Sequence, residues 1–312
     1  MRVLFAGTPE VAVPCLDAVI DGGHDVVGVL TRPPAPVGRK RTLTPSPVHA
    51  AADQRGIDVI ASTRPDDPDT LERIAATGAQ GAAVVAYGAL LRQGALQALP
   101  HGWINLHFSL LPAWRGAAPV QYAIRAGDTR TGASVFQIEK GLDTGPVFAS
   151  AAHPIRPWHT SGDLLAELTD IGGPLLSTVL HDIDAGTAAA VPQGSDGVTL
   201  APTLTSADAQ IDWSAPAAQI DQLVRAMTPA PGAWTTLDGK RAKIGPVRLT
   251  PDAPPLQPGE LAVMTDGVLV GTGTDPVALG DIAPPGKGWM AASDWGRGAR
   301  LDHTSRFGAT DG

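Results

Sequence analysis

The chain has 312 residues, a length that favours two domains over one very large domain. Apolar residues make up 43% and charged residues 17%, and no run of eighteen apolar residues occurs. Neither a disordered chain nor a membrane-spanning one fits this composition. With 23 basic and 31 acidic residues the formal net charge is −8, which disfavours non-specific binding of nucleic acid.

Cysteine content and the first residues indicate a cytoplasmic protein. The single cysteine, Cys15, excludes an intrachain disulfide and a cysteine-rich zinc site. Met1 leads directly into a short apolar run, without the basic start and cleavage site of a secretory signal.

The first 183 residues alternate apolar runs with helical stretches, which predicts a doubly wound, mostly parallel sheet of the α/β class. The predicted strands are apolar almost throughout, as expected for strands covered on both sides. They are Arg2–Ala6, Asp25–Leu30, Ile57–Ala61, Ala82–Tyr87, Trp103–Phe108, Ala133–Ile138 and Val147–Ala152. The helices predicted between and after them are Val11–Asp21, Val48–Arg55, Pro68–Thr77, Ala118–Ala126 and Gly162–Ile183.

The composition changes after about Asp184. Residues 185–205 are rich in Ala, Gly, Pro, Ser and Thr, which indicates an exposed connector. One amphipathic helix, Ala215–Met227, then precedes short strand-like pieces spaced as in a small barrel or sandwich. We therefore predict an α/β domain over residues 1–189, a linker over 190–206 and a smaller, OB-like β-barrel domain over 207–312. The tail from Ser305 shows no pattern and is expected to be disordered.

The first predicted strand ends in a turn that carries Gly7, Thr8 and Pro9. A dinucleotide-binding chain has GxGxxG at this place, so that the backbone can approach a pyrophosphate. Only one of the three glycines is present, and NAD is therefore not expected. A phosphate at the helix start and a plain tight turn both remain open.

Asn105 and His107 lie near the end of the predicted strand Trp103–Phe108. Residues two apart in a strand point to the same face, so both side chains project together. Open α/β sheets bind ligands outside the carboxyl ends of their parallel strands. From these residues alone, a ligand site and a satisfied core histidine are equally supported.

Asp143 lies between Gly141 and Gly145 in a segment typical of a turn. A plain turn former is the commoner role of such an aspartate, and a catalytic role is the alternative. Asn, His and Asp together supply an uncharged donor, a group that titrates near neutrality and an anion to orient it. Proton transfer around a carbonyl needs these three parts.

Positive charge is concentrated in two short tracts, each open to interpretation as a solvated surface or as a contact for a phosphate-bearing partner. The cations of the first tract are Arg32, Arg39, Lys40 and Arg41. Those of the second are Lys240, Arg241, Lys243 and Arg248. The remaining histidines are scattered and form no metal-binding pair, so no metal is expected.

Two motifs resemble the folate-dependent formyltransferases. They are Asn105–Pro119, which reads NLHFSLLPAWRGAAP, and Gly141–Gly145, which reads GLDTG. Three further runs make the chain similar to the methionyl-tRNA formyltransferase branch of that superfamily: Phe5–Pro9, Ala86–Gly88 and Ile211–Ser214. The resemblance spans nearly the whole chain and is weakest after about Gly245.

The resemblance implies transfer of a formyl group from 10-formyltetrahydrofolate to the methionine amino group of charged initiator tRNA, without a metal or NAD. It makes Asn105, His107 and Asp143 the catalytic trio: Asn105 and a protonated His107 would stabilise the formyl oxygen, and Asp143 would orient His107 and help to remove the proton. The implied folate contacts are Ser109, Leu110, Leu111 and Pro112, with the backbone at Tyr87 and Gly88. The implied tRNA contacts are Arg39, Lys40, Arg41, Lys240, Arg241 and Lys243. We expect a monomer.

Two departures from the family pattern and two rival functions remain. Phe108 stands where a small residue or proline is usual, and Ala230 where relatives commonly carry tryptophan. An amino sugar nucleotide is the rival acceptor. A non-catalytic RNA-binding protein on the same fold is the rival of another class, and for it we expect a broken trio.

Overall fold

A computed structural model describes residues 1–38, 40–265, 267–299, 301 and 305–308. Strands and helices alternate up to residue 201, much as the apolar runs predict. In chain order these elements are β1 (Arg2–Gly7), α1 (Ala12–Asp21), β2 (Asp25–Thr31), β3 (Ala35–Val37), β4 (Thr42–Thr44), α2 (Pro47–Arg55), β5 (Val59–Ala61), α3 (Pro68–Ala76), β6 (Gly81–Val85), α4 (Gln93–Leu96), β7 (Trp103–His107), β8 (Arg115–Gly116), α5 (Pro119–Ala126), β9 (Arg130–Gln137), β10 (Val147–Pro154), α6 (Ser161–Asp184) and β11 (Leu200–Ala201).

The main sheet has seven strands in the order β10-β9-β7-β6-β1-β2-β5. The strands β5, β2, β1, β6 and β7 run parallel to one another, and β9 and β10 extend the sheet beyond β7 by antiparallel pairing. Five of the six residues of β1 are buried, as its apolar sequence dictates. The mostly parallel α/β class predicted from the sequence is confirmed.

Helices cover both faces of this sheet. On one face Leu4 of β1 shares a buried cluster with Ile74 of α3 and Trp103 of β7. On the other face α6 approaches β7 so closely that a Cβ at Gly172 would lie 2.9 Å from a Leu106 methyl group. Since side chains alternate along a strand, Leu106 faces α6, and Asn105 and His107 point away from it.

Cα proximity divides the chain into two compact units. The first unit comprises Met1–Pro119, Arg130–Pro154 and Leu165–Ala201. The second comprises Val120–Thr129, Ile155–Leu164 and the described part of Pro202–Gly312.

Cys15, in the first unit, is fully buried, and burial raises the pKa of its thiol to about 12, so it is a core residue rather than a reactive one.

The second unit is antiparallel in its sheets. After a short 3-10 turn its elements are α7 (Ala217–Ala226), β12 (Trp234–Leu237), β13 (Lys240–Ile244), β14 (Val247–Leu249), β15 (Leu261–Met264), β16 (Gly267–Val270), β17 (Val277–Leu279), β18 (Asp281–Ala283), β19 (Met290–Ala291) and α8 (Ala292–Gly298). They form two four-stranded sheets, ordered β12-β13-β18-β19 and β14-β17-β16-β15. The apolar face of α7, with Ile220 and Val224, packs into the same buried cluster as strand residues of both sheets.

Three segments differ from the sequence-based expectation. The first basic tract lies in a hairpin of β3 and β4, a segment for which no strand was predicted. Strand β11, within the expected connector, pairs with β8. The expectation of a disordered tail is wrong for residues 305–308, because Phe307 is buried with its ring stacked on Trp213 and Trp295 at centroid distances of 5.5 and 5.9 Å. The apolar surface that these aromatic rings bury stabilises residues 305–308, although their sequence has no hydrophobic pattern.

Across the described ranges, every helix is too short or too polar to cross a membrane.

Candidate active site

The candidate site is built at the carboxyl end of β7, in the first unit. His107 is the last residue of that strand and is 5% exposed. Its Nε2 lies 2.9 Å from the Trp114 carbonyl oxygen, and its Nδ1 lies 3.8 Å from Oδ2 of Asp143. The structure thus brings together His107 and Asp143, although they are 36 positions apart in the sequence.

The Asp143 turn is held by the backbone of the Trp114–Gly116 run. Asp143 has a φ of +49°, in the left-handed region that costs most residues about 1 kcal/mol. Its Oδ2 accepts a hydrogen bond of 2.7 Å from the Gly116 N–H. At Gly145, a Cβ would lie 1.7 Å from the Gln137 carbonyl oxygen, so only glycine fits beside β9. Gly145 therefore serves a close backbone approach as well as a turn.

The surroundings of His107 favour its neutral ring. Burial lowers its pKa below the 6.5 of a free imidazole, and the Asp143 carboxylate and the Trp114 carbonyl offset part of that effect. A carbonyl only accepts hydrogen bonds, so Nε2 carries the proton of the neutral ring and Nδ1 has a free lone pair. Burial therefore favours the neutral ring at rest, and the protonated His107 that the resemblance implies for the reaction stays a prediction.

Asn105 lies two residues before His107 and on the same face of β7. Its main chain is flanked by Val84 of β6 and Phe136 of β9. The side chain is half-buried, and its amide makes no hydrogen bond to any residue that the structure describes. A donor that is fixed on a central strand and left unpaired is suited to a carbonyl oxygen of a bound molecule.

The loop after β7 carries the predicted folate contacts Ser109 to Pro112. Ser109 is fully buried, and its Oγ donates to the Ala113 carbonyl at 2.6 Å, whereas Leu110, Leu111 and Pro112 are half-buried. A Cβ at Gly132 of β9 would lie 2.5 Å from a Leu110 methyl, so the loop rests directly on that strand.

Ser134, on β9 opposite His107, fixes this loop from below. Its Oγ donates to the Ser109 carbonyl at 2.7 Å and accepts from the Leu111 N–H at 3.2 Å. It also lies 2.9 Å from the Ser150 Oγ on β10. Sequence reasoning missed Ser134, since a lone serine in an apolar strand gives no signal of a partner 25 residues away.

Tyr87 and Gly88 lie after β6, at the same end of the sheet. The Tyr87 ring is buried, its hydroxyl donates to the Ser62 carbonyl at 2.7 Å, and burial raises its pKa to about 12. Its carbonyl accepts from Thr8 Oγ1 at 2.8 Å. Gly88 is exposed with a φ of +77°. Exposed backbone, rather than the phenol, is what this segment offers to a ligand.

Gln193, in the expected connector, contacts both the Asp143 turn and the Arg115 side chain. Its Nε2 donates to the carbonyls of Asp143 and Gly145 at 2.8 and 2.7 Å. Its Oε1 accepts from Arg115 Nη2 and Nε at 2.7 and 3.1 Å. Sequence analysis missed this residue, because its segment has the composition of a loop.

The cations of the two basic tracts are exposed wherever they are described. Lys40 and Arg41 lie at the tip of the β3–β4 hairpin, whereas Arg39 lies outside the described residues. Lys240, Arg241 and Lys243 lie on β13, on which Ala242 and Ile244 are buried. The Arg241 guanidinium lies over the Trp234 ring at 4.2 Å from its centroid.

No group of three or more His, Cys, Asp or Glu residues in the described part of the chain is placed to hold a metal ion.

Comparison with known proteins shows the family to which the chain belongs. The formyl transferase family model matches residues 1–180, and the model of the formyl transferase C-terminal domain matches residues 203–300. The methionyl-tRNA formyltransferase of Arthrobacter sp. (strain FB24) is 58% identical over 298 residues, which are 96% of this chain and 97% of the relative. That of Thermobifida fusca is 54% identical over 308 residues, 99% of each chain.

A solved structure has the same fold. The Helicobacter canadensis N-formyltransferase, solved with folinic acid and dTDP-3-aminofucose, has a TM-score of 0.67 at 16% identity and covers 89% of this chain and 99% of its own. A mostly parallel α/β unit with a polar strand end, followed by an antiparallel β unit, is the architecture of a folate-dependent formyl transferase. The chain belongs, within that class, to the methionyl-tRNA formyltransferase family.

Proposed function

We propose that the chain transfers the formyl group of 10-formyltetrahydrofolate to the amino group of methionyl initiator tRNA, and so forms N-formylmethionyl-tRNA for translation initiation. The observation that carries this proposal is the trio at the end of β7. His107 is held between the Trp114 carbonyl and Asp143, and the amide of Asn105 beside it has no hydrogen-bond partner among the described residues. An intact trio also argues against the non-catalytic alternative.

Asn105 is proposed to stabilise the charge that develops on the formyl oxygen. The folate supplies an activated formyl group, so the chain needs no metal or redox chemistry. When the amine attacks the formyl carbon, negative charge builds on the formyl oxygen, and a fixed amide N–H stabilises it at no reorganisation cost. Removal of such a donor slows turnover by about 100-fold to 1000-fold in well-studied enzymes.

His107 is proposed to accept the proton of the attacking amine. Its Nδ1 has a free lone pair in the neutral ring, and the ring becomes positive as the N–C bond to the formyl carbon forms. The Asp143 carboxylate, 3.8 Å away, stabilises that charge, and the Trp114 carbonyl keeps the ring in place. His107 then returns the proton to the nitrogen that loses the formyl group.

The groups around the trio fit a folate. Ala86 and Gly88 offer exposed backbone for the hydrogen bonds of a pteridine ring, and half-buried Leu110, Leu111 and Pro112 offer apolar surface. Ser109 is proposed to support the loop rather than to contact the folate with its hydroxyl, since that hydroxyl donates to the Ala113 carbonyl. We therefore propose that the exposed main chain at Gly88, next to buried Tyr87, holds the folate, and that the Ser109–Pro112 loop forms its apolar wall.

The basic tracts are proposed to contact the tRNA backbone. Their exposed lysine and arginine side chains are suited to phosphate groups, which supply most of the salt-dependent part of RNA binding. In this proposal residues 1–189 carry out formyl transfer, residues 190–206 link, and residues 207–312 hold the tRNA through Lys240, Arg241 and Lys243. Arg39, Lys40 and Arg41 add contacts from the first region.

The chain is proposed to act as a monomer in the cytoplasm. Asn105, His107, Asp143 and their partners all come from one chain, so no second copy is needed to complete the trio. One buried cysteine suits a reducing compartment.

The test is an acceptor assay with purified protein and 10-formyltetrahydrofolate. Charged initiator tRNA, charged elongator tRNA, a dTDP-linked amino sugar and free methionine are compared. We expect rapid formylation of methionyl initiator tRNA and slow reaction of the other three. Formylation of the amino sugar without that of the tRNA would overturn the proposal.

A further inference from the structure

We propose that Gln193 is a positioning residue that holds the two partners of His107, the Trp114 carbonyl and the Asp143 carboxylate, in place on either side of the ring. This inference rests on the proposed roles of His107 and Asp143 in formyl transfer. It concerns a residue of the expected linker that none of the motifs includes.

The Gln193 side chain uses its whole hydrogen-bonding capacity across the site. Its two N–H groups reach the carbonyls of Asp143 and Gly145, and its oxygen receives two N–H groups of Arg115. An amide has two donors and two acceptor positions, and all four are occupied. Gln193 therefore cross-links the 141–145 turn to β8.

Both linked segments carry a partner of His107. The 141–145 turn presents the Asp143 carboxylate in a left-handed conformation that local sequence does not favour. The β8 segment begins directly after Trp114, whose carbonyl meets His107 Nε2, and its Gly116 N–H binds Asp143 Oδ2. A change in the distance between the two segments would move both contacts of the imidazole.

The main chain around Gln193 is anchored on the same two segments. Val191 exchanges two hydrogen bonds of 2.8 Å with Val147, just after the Asp143 turn. Further along, Thr199 receives the N–H of Trp114 on its hydroxyl at 2.8 Å and the N–H of Arg115 on its carbonyl at 2.9 Å. Residues 191–201 therefore form a brace along the site, with Gln193 as its side-chain contact.

A neutral amide is the chemical type that this position requires. Two carbonyl oxygens need donors, and Arg115 needs an acceptor. A glutamate would place lone pairs against both carbonyls and add a negative charge near Asp143. A methionine of similar length would leave both carbonyls and the guanidinium without these bonds. Each change loosens the Asp143 turn without altering a residue of the trio.

The experiment compares Gln193→Met and Gln193→Glu with a matched control, Gln80→Met. Gln80 also binds main chain, with its Oε1 accepting the Arg2 N–H at 2.8 Å, but at the amino end of β1. The kcat and the KM for methionyl-tRNA and 10-formyltetrahydrofolate are measured, and the His107 imidazole is titrated by NMR. The signal is assigned by its absence in His107→Ala.

We expect kcat of both Gln193 variants to fall by about 10-fold to 100-fold, as for small misplacements of reacting groups. Both KM values should change little, and Gln80→Met should match the wild type. In Gln193→Met the pKa of His107 should fall further, because a displaced carboxylate stabilises the charged ring less.

The proposal is overturned if both Gln193 variants keep the wild-type kcat and His107 titration while His107→Ala is inactive. Gln193→Glu retains the shape and the Arg115 contact, so it provides the decisive result if Gln193→Met does not fold. Failure of the wild type to formylate methionyl-tRNA would reject the proposed function instead. The NMR titration would still report on the positioning of His107.

Discussion

His107 illustrates how burial and neighbouring groups together set the charge of a histidine ring. Burial lowers the pKa of His107 by destabilising its charged form. The Asp143 carboxylate on one side and the Trp114 carbonyl on the other offset part of this effect. The ring is therefore neutral at rest and can be charged in the transition state, which is the requirement for a base that works near neutral pH.

The pH dependence of formylation should follow from this balance. We expect the acid limb of the kcat/KM profile to lie below pH 6.5, since the active form is the neutral ring and burial lowers its pKa. In Asp143→Asn the stabilising negative charge is lost. The pKa of His107 then falls further, and the acid limb moves to lower pH while the rate drops.

The control for this measurement is Asp53→Asn. Asp53 pairs with His49 at 3.6 Å on α2 and forms a similar histidine–carboxylate pair that the proposed chemistry does not use. Its profile should match that of the wild type. An acid limb that moves to higher pH in Asp143→Asn would contradict the proposed role of the carboxylate.

At the scale of elements, the strands that build the site could be predicted and their cross-links could not. The apolar runs gave β1, β2, β6 and β7 to within a few residues, because a strand buried on both faces needs nothing but apolar side chains. The β3–β4 hairpin was missed, since Pro36 lies in its first strand and prolines disfavour strands.

Ser134 should control the loop that follows β7. In Ser134→Ala, the Ser109 carbonyl and the Leu111 N–H lose their partner in a buried place, which costs about 1–3 kcal/mol of stability. We expect a raised KM for 10-formyltetrahydrofolate and a smaller effect on the KM for tRNA. Steady-state kinetics and urea denaturation measure both effects.

Ser150→Ala is the matched control for Ser134. The Ser150 hydroxyl contacts Ser134 but neither group of the loop, and Ser150 is exposed. Its removal should leave the folate KM unchanged. Equal effects of the two substitutions would show that the loop does not depend on the Ser134 contacts.

At the scale of the whole molecule, the net charge of −8 hides two exposed clusters of cations. Average charge governs non-specific attraction, and local charge governs contact with a particular partner. An acidic chain with basic tracts is therefore suited to bind one RNA and to avoid others.

Neutralising these tracts should lower the salt dependence of tRNA binding. We expect Lys40→Gln with Arg41→Gln, and separately Arg241→Gln with Lys243→Gln, to weaken binding. Each pair should flatten the plot of log affinity against log salt by up to about 1.8, since each lost phosphate contact removes about 0.7 to 0.9. Binding is measured by fluorescence anisotropy over a salt series.

The matched control replaces Arg64 and Arg297 by glutamine. Both are exposed cations that already pair with a neighbouring carboxylate, Asp67 and Asp294 respectively. This variant should keep the wild-type slope. An unaltered slope in both tract variants would show that these cations are solvated surface residues and do not contact tRNA.

The sequence by itself determined the class of fold, the order of the main strands and the identity of the trio candidates, because burial patterns and contiguous motifs are local properties. Only the tertiary structure decided which ring nitrogen of His107 holds the proton, that Ser134 supports the Ser109–Pro112 loop, and that Gln193 joins Arg115 to the Asp143 turn across 78 and 50 residues of sequence. Such contacts depend on the distances between chain segments that folding brings together. The loop-like composition of residues 191–201 therefore does not indicate them.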